Sequence, residues 1–174
     1  NNIDTLKTLI DDTIHKLEQY SNLNFKKYHV VNDITKNLQE IIKDKYISYL
    51  SENEIIDKHI NSDQNLYKMF RSFFPDKVVY CGISYIMIDI NNIEKQIINY
   101  IEQHKEKPKI FIYKLDKYYL YISSNSITKC REIEQVLVSH FICYNDSNMF
   151  LDENEVNYLN NWDAEKYRKM STNN

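Results

Sequence analysis

Apolar residues recur at helical spacing from the first turns of the chain. Ile3, Leu6, Ile10, Ile14 and Leu17 share one stripe, which predicts a helix over residues 3–20. Asn22 to Val31 reads as a polar break. A second helical pattern runs over 33–50, through Ile34, Leu38, Ile41, Ile42 and Leu50. Ser51-Glu-Asn-Glu54 has the spacing of a capping box and predicts a short helix near 52–60. Asp63 is placed to cap one more, through Leu66, Met69 and Phe70, with Pro75 as its limit.

Beyond Pro75 the period shortens. Val78-Val-Tyr-Cys81 and Tyr85-Ile-Met-Ile88 are brief apolar runs on either side of Gly82, and they read as two strands joined by a tight turn. Asn91 or Asn92 then caps a helix carrying Ile93, Ile97, Ile98 and Ile101. After Pro108, Ile110-Phe-Ile-Tyr113 and Tyr118-Tyr-Leu-Tyr-Ile122 flank Lys114-Leu-Asp-Lys117, the clearest hairpin in the chain. Ser124 or Ser126 caps a longer helix through Ile127, Cys130, Ile133, Leu137, Phe141 and Tyr144. A closing helix starts at Asp152, with Glu155 three residues on and a Leu151–Val156 staple. Val156, Leu159, Trp162 and Tyr167 follow on one face, and Trp162 is expected to bury its indole against the sheet.

These elements imply an α+β fold: N-terminal helices, then two β-hairpin–helix units, about 33 residues apart, making a small sheet covered by helices. The expected division is a helical segment over 1–71, an α/β domain over 72–170 and a disordered tail over 171–174. The first helix is the expected weak point. Its stripe must either bury itself against residues 33–70 or remain an exposed apolar patch.

Composition narrows the function classes. With 43% hydrophobic residues the chain can bury a core, and a net charge of −3 with a pI near 6.0 lacks the basic stripe of a nucleic-acid binder. No apolar run is long enough for a membrane span. A single glycine, Gly82, cannot build a phosphate-cradling loop. Three cysteines without framework spacing (Cys81, Cys130 and Cys143) suit a reducing cytoplasm. The abundance of Ile, Asn, Lys and Tyr reflects A/T-rich codons, and a start at Asn1 suggests a piece of a longer protein.

Candidate chemistry is sparse. None of His15, His29, His59, His104 and His140 stands in an H-x-H or H-E-x-x-H arrangement. His140 and Cys143 stand at i and i+3 on a predicted helix, where both could ligate one ion, and two further ligands would be needed. Asp76 reads as a turn residue, and Asp163 and Glu165 as surface partners of Lys166 and Arg168. Tyr113, Tyr118, Tyr119 and Tyr121 lack the basic clusters and Gly-aromatic motif of a base-stacking sheet, so strand propensity accounts for them. Catalytic, cofactor-binding and metal residues are therefore expected to be none.

Two motifs carry a resemblance. Phe73-Phe-Pro-Asp-Lys-Val-Val-Tyr-Cys-Gly82 resembles a segment that follows the catalytic domain in a branch of the class II aldolase/adducin family, and Asn157-Tyr-Leu-Asn-Asn-Trp-Asp-Ala-Glu-Lys-Tyr-Arg168 is similar to that branch's closing helix. The resemblance extends over nearly the whole chain, and these motifs are its specific part. Family enzymes hold a divalent metal, usually zinc, through an H-x-H pair and a later His. They cleave or epimerise small phosphorylated sugars. This chain lacks those histidines and the phosphate-pocket glycines, so no catalytic position carries over. The resemblance implies a non-catalytic C-terminal accessory domain, whose partner is an aldolase-like catalytic domain of the same chain or another protein, with homo-oligomer contacts as an option. The alternative is a stand-alone protein–protein interaction module from an A/T-rich viral or parasite genome.

Overall fold

The computed structural model describes residues 2–62, 65–145 and 147–161, with 2–4, 6, 7 and 11 as backbone only. Element order is α1 (Asn2–Ile42), β1 (Ile47–Leu50), α2 (Glu54–Ile60), α3 (Leu66–Met69), α4 (Pro75–Cys81), β2 (Ile86–Met87), a 3-10 turn (Ile90–Asn92), α5 (Ile93–His104), β3 (Ile110–Lys114), β4 (Tyr118–Ser124), α6 (Ile127–Cys143) and α7 (Glu153–Asn161). The fold is α+β, a four-stranded sheet in the order β1-β4-β3-β2 between two layers of helices.

Both faces of the sheet are covered, so its strands read as continuous apolar runs rather than alternating ones. In β3 and β4, Ile110, Ile112, Leu120 and Ile122 point into a core shared with α2, α4 and α6, which supply Ile56, Ile60, Cys81, Ile133, Leu137 and Phe141. Phe111 and Tyr121, the alternate positions, point into a second core with Val30, Ile34 and Leu38 of α1 and Ile93, Ile97 and Tyr100 of α5. The hairpin stands as read from the sequence, with Ile112 opposite Leu120 and Leu115 N–H bonded to Lys117 O at 2.9 Å.

Other expectations need correction. Val78–Cys81 is helix, not strand: Pro75 occupies the first helical turn, Asp76 complements its dipole, and Gly82 terminates it. Four apolar residues bounded by Pro and Gly do not distinguish a strand from one buried helical turn. Among the described residues there is therefore one hairpin, not two, and the 33-residue echo does not persist in the fold. The run at 85–88 does give a strand, β2, but it pairs parallel to β3 through the α5 crossover.

The helix read over 33–50 ends at Ile42. Lys43 has a φ of 57°, a left-handed stop, and Tyr46 to Leu50 then enters the sheet, where Tyr49 opposes Ile122 of β4. The polar break over 22–31 is likewise helical, so α1 is one element of 41 residues. Extending an existing helix needs no new nucleus, and a polar stretch inside it costs little.

Caps hold in part. Asp152 and Glu155 form the expected reciprocal box at 2.9 Å each way. Ser126 caps α6 through Lys129 N–H at 3.3 Å. Asn53 rather than Ser51 caps α2, accepting from Ile55 N–H at 3.0 Å, while Ser51 Oγ donates to Glu134 at 2.5 Å. Asn65 caps α3. Asp63, Trp162, the 163–168 charges and the 171–174 tail lie outside the described residues.

Candidate functional site

The most concentrated polar chemistry lies around Gly82. Its φ of 81° and ψ of 179° belong to a region only glycine enters without strain, and a Cβ there would sit 2.8 Å from Glu106 Oε1. Glu106 Oε1 accepts from Ile83 N–H and from Tyr100 Oη–H, both at 2.8 Å. Lys77 Nζ donates to Gly82 O at 3.2 Å, and Lys109 Nζ to Val79 O at 2.9 Å. Lys77 is wholly buried, and that burial pushes its ammonium down to about 8, partly offset by Cys81 and Glu106. Burial likewise pushes the Cys81 thiol up to about 11.

A lysine with a lowered pKa is the chemical type of an amine nucleophile. Geometry assigns this one otherwise. Its head is spent on a main-chain carbonyl and has no exposed surface. The network stakes the Gly82 turn to α5 and to the loop before β3. Beside it runs a groove of about 1950 Å³, whose walls include Tyr67, Arg71, Tyr85, Lys109, Glu132 and Asn157. That is well above the ~300–1000 Å³ of a small-molecule pocket, and its lining is mixed rather than convergent.

His140 and Cys143 do not converge. The His140 ring is buried, with Nε2 2.7 Å from Met69 O and the Phe73 ring stacked at 4.7 Å. Burial lowers its pKa to about 4, so it is neutral, with Nε2–H donating to Met69 O. Cys143 is exposed, and Cys81 and Cys130 are free and buried. Among the described residues no three His, Cys, Asp or Glu side chains are grouped to hold a metal, and no helix is long and apolar enough to cross a membrane.

The third feature is α1 itself. Every side chain described between Thr5 and Asn22 is exposed. Stepping by sevens along one ladder gives Ile10 at 50% exposure, Leu17 at 63%, Asn24 and Val31 half-buried, and Leu38 at 0%. The neighbouring ladder runs from Tyr20 through Lys27 and Ile34 to Ile41, and is fully buried at Ile34. One heptad seam is thus covered by the body at one end and bare at the other. The body takes hold where Tyr121 Oη–H meets Lys27 O at 3.0 Å and Tyr28 Oη–H meets Glu52 at 2.8 Å. Leu9, Ile14 and Phe25 widen the bare stripe. Residues 2–28 extend roughly 40 Å at 1.5 Å per residue.

The exposed stripe through Ile10, Ile14 and Leu17 was legible in the sequence; its continuity with Ile34 and Leu38 was not. The seven-residue spacing across Asn24 and Lys27 was the available signal. No family model, curated protein or solved structure matches this chain.

Proposed function

We propose that this chain is a non-catalytic interaction module that assembles by helix pairing along the free part of α1, residues 5–26. One observation carries the reading. Leu17 and Leu38 stand three heptads apart on one ladder, yet Leu17 is 63% exposed and Leu38 is 0%. A contiguous bare apolar face of this kind marks an interaction site. An amphipathic helix is the partner that fits a heptad seam.

The class II aldolase-like reading is a case of this proposal. There the partner helix belongs to a catalytic domain acting on small phosphorylated sugars, which also holds the divalent metal; its support is the two sequence motifs. Unpaired cysteines suit a cytoplasmic setting.

Photo-crosslinking tests the proposal. The full chain carrying a benzophenone side chain at position 14 is irradiated alone and in cell extract. We expect one discrete adduct, mapped to an apolar helical seam in the partner and lost when Leu17→Asp is added. Absence of a discrete adduct at any concentration would refute helix pairing.

A further inference from the structure

We propose that the helix paired with α1 is the α1 of a second copy of this chain, with the two free arms running antiparallel. The inference rests on the docking reading above and adds the identity and direction of the partner.

Direction follows from what the body covers. The seam bare at Ile10 and Leu17 is half-covered at Asn24 and Lys27 and sealed by the body from Val30 onward. Paired helices lie about 8–10 Å apart. A second α1 laid parallel on that seam would carry its own residues 30–42 into the first copy's body. Laid antiparallel, it ends where the body begins. Residue 2 of one copy then lies beside residue 29 of the other, and Ile14 of each faces Leu17 of its partner near the twofold axis.

Charge agrees with this direction. Residues 2–15 carry Asp4, Asp11 and Asp12 against Lys7, a formal −2. Residues 16–29 carry Lys16, Lys26 and Lys27 against Glu18, a formal +2. Antiparallel pairing sets the acidic half of each arm on the basic half of the other, whereas parallel pairing sets like on like. Opposed charge of this kind fixes orientation more than it adds affinity.

The area suffices. Leu9, Ile10, Ile14, Leu17, Tyr20 and Phe25 are each between 49% and 72% exposed. With aromatic side chains offering ~150–250 Å² apiece, the six present on the order of 700 Å² per arm, close to the ~800 Å² per partner of a standard interface. The interface is isologous, as a twofold dimer requires.

Two measurements on the full chain test this. Sedimentation equilibrium of purified protein across micromolar to submillimolar concentration should show a monomer–dimer equilibrium. Ile14→Asp with Leu17→Asp should weaken it at least tenfold while leaving the circular dichroism of the body intact. For direction, Lys26→Cys in a Cys143→Ser background carries a nitroxide; antiparallel arms place the two labels roughly 30 Å apart along the axis, at 1.5 Å per residue, and parallel arms place them side by side. A dimer indifferent to the double substitution, or labels in close proximity, would overturn the antiparallel arm pair. Monomer throughout, with the position-14 crosslinker still reaching a helix of another protein, would overturn self-pairing and leave the docking reading standing. Monomer throughout without any adduct would remove both.

Discussion

The two ends of α1 are built from the same kind of sequence and meet different fates. Ile34 and Leu38 are sealed beneath the sheet with Phe111, Tyr121 and Ile97, whereas Ile10, Ile14 and Leu17 stand in solvent. The difference does not lie in helix-forming character, since one unbroken helix joins them. It lies in what the rest of the chain supplies. Residues 43–161 hold α1 by hydrogen bonds at Lys27 and Tyr28 and half-cover it at Leu23 and Asn24, while every side chain described from Thr5 to Asn22 is exposed. An amphipathic helix specifies that a partner is needed, and tertiary structure decides whether that partner lies within the same body.

Substitutions at equivalent ladder positions sharpen this contrast most. Leu38→Ala should destabilise the body by about 2–5 kcal/mol, through lost burial and a residual cavity. Leu17→Ala should move the denaturant midpoint of dilute protein by no more than about 0.5 kcal/mol equivalent. Equal losses at the two positions would mean that the free part of α1 belongs to the core.

Acid should weaken the body through His140. The neutral ring of His140 is held near a pKa of 4, against 6.5 for an ordinary histidine. Between those values the unfolded chain binds the proton and the folded chain does not, so stability falls as pH drops from about 6.5 to 4. The upper bound is on the order of 3 kcal/mol. His140→Gln keeps a side-chain N–H donor without titrating in this range. It should flatten this part of the urea-midpoint profile, and a profile as steep as wild type would assign the acid loss elsewhere.

A smaller effect is expected at the turn. Gly82→Ala forces a Cβ into a glycine-only conformation and against Glu106, costing about 1–3 kcal/mol. Thermal melting measures this, and arm pairing should be unchanged in the same variant.

Lys77 gives the smallest effect. Folded Lys77 releases its proton near 8 and the unfolded chain holds it to 10.5, so stability should rise with pH above 8. Cys81 opposes this from 9, because its folded thiol stays protonated to about 11. The clean window is pH 8–9, where a rise of about 1 kcal/mol is the limit. Lys77→Met should abolish it, and persistence of the rise in that variant would point to another group.

What the sequence revealed follows from how local each signal is. The β3–β4 hairpin, the Asp152–Glu155 box and the helix from Ile93 are set by neighbouring residues and were readable. The segment Val78–Cys81 was not, because Pro75 and Gly82 bound a run too short for its period to decide between helix and strand. Nor was β1: Tyr46 to Leu50 follows a helical pattern, and only the left-handed turn at Lys43 and pairing with β4, some 70 residues later, place it in the sheet. At the candidate site the Ile10–Leu17 stripe was legible. The Lys77–Gly82–Glu106 network was not, since its partners meet only through the fold.

Hydrogen exchange along α1, followed by mass spectrometry from dilute to concentrated protein, tests the division of this helix most directly. In dilute monomer, amides of residues 31–42 should be protected as strongly as those of β3 and β4, while those of 5–26 exchange rapidly, an unpacked helix of that length being marginal in water. Protection over 5–26 should then grow with concentration and leave 31–42 unchanged. Uniform strong protection from 5 to 42 at every concentration would contradict the account and make the whole of α1 part of the folded body.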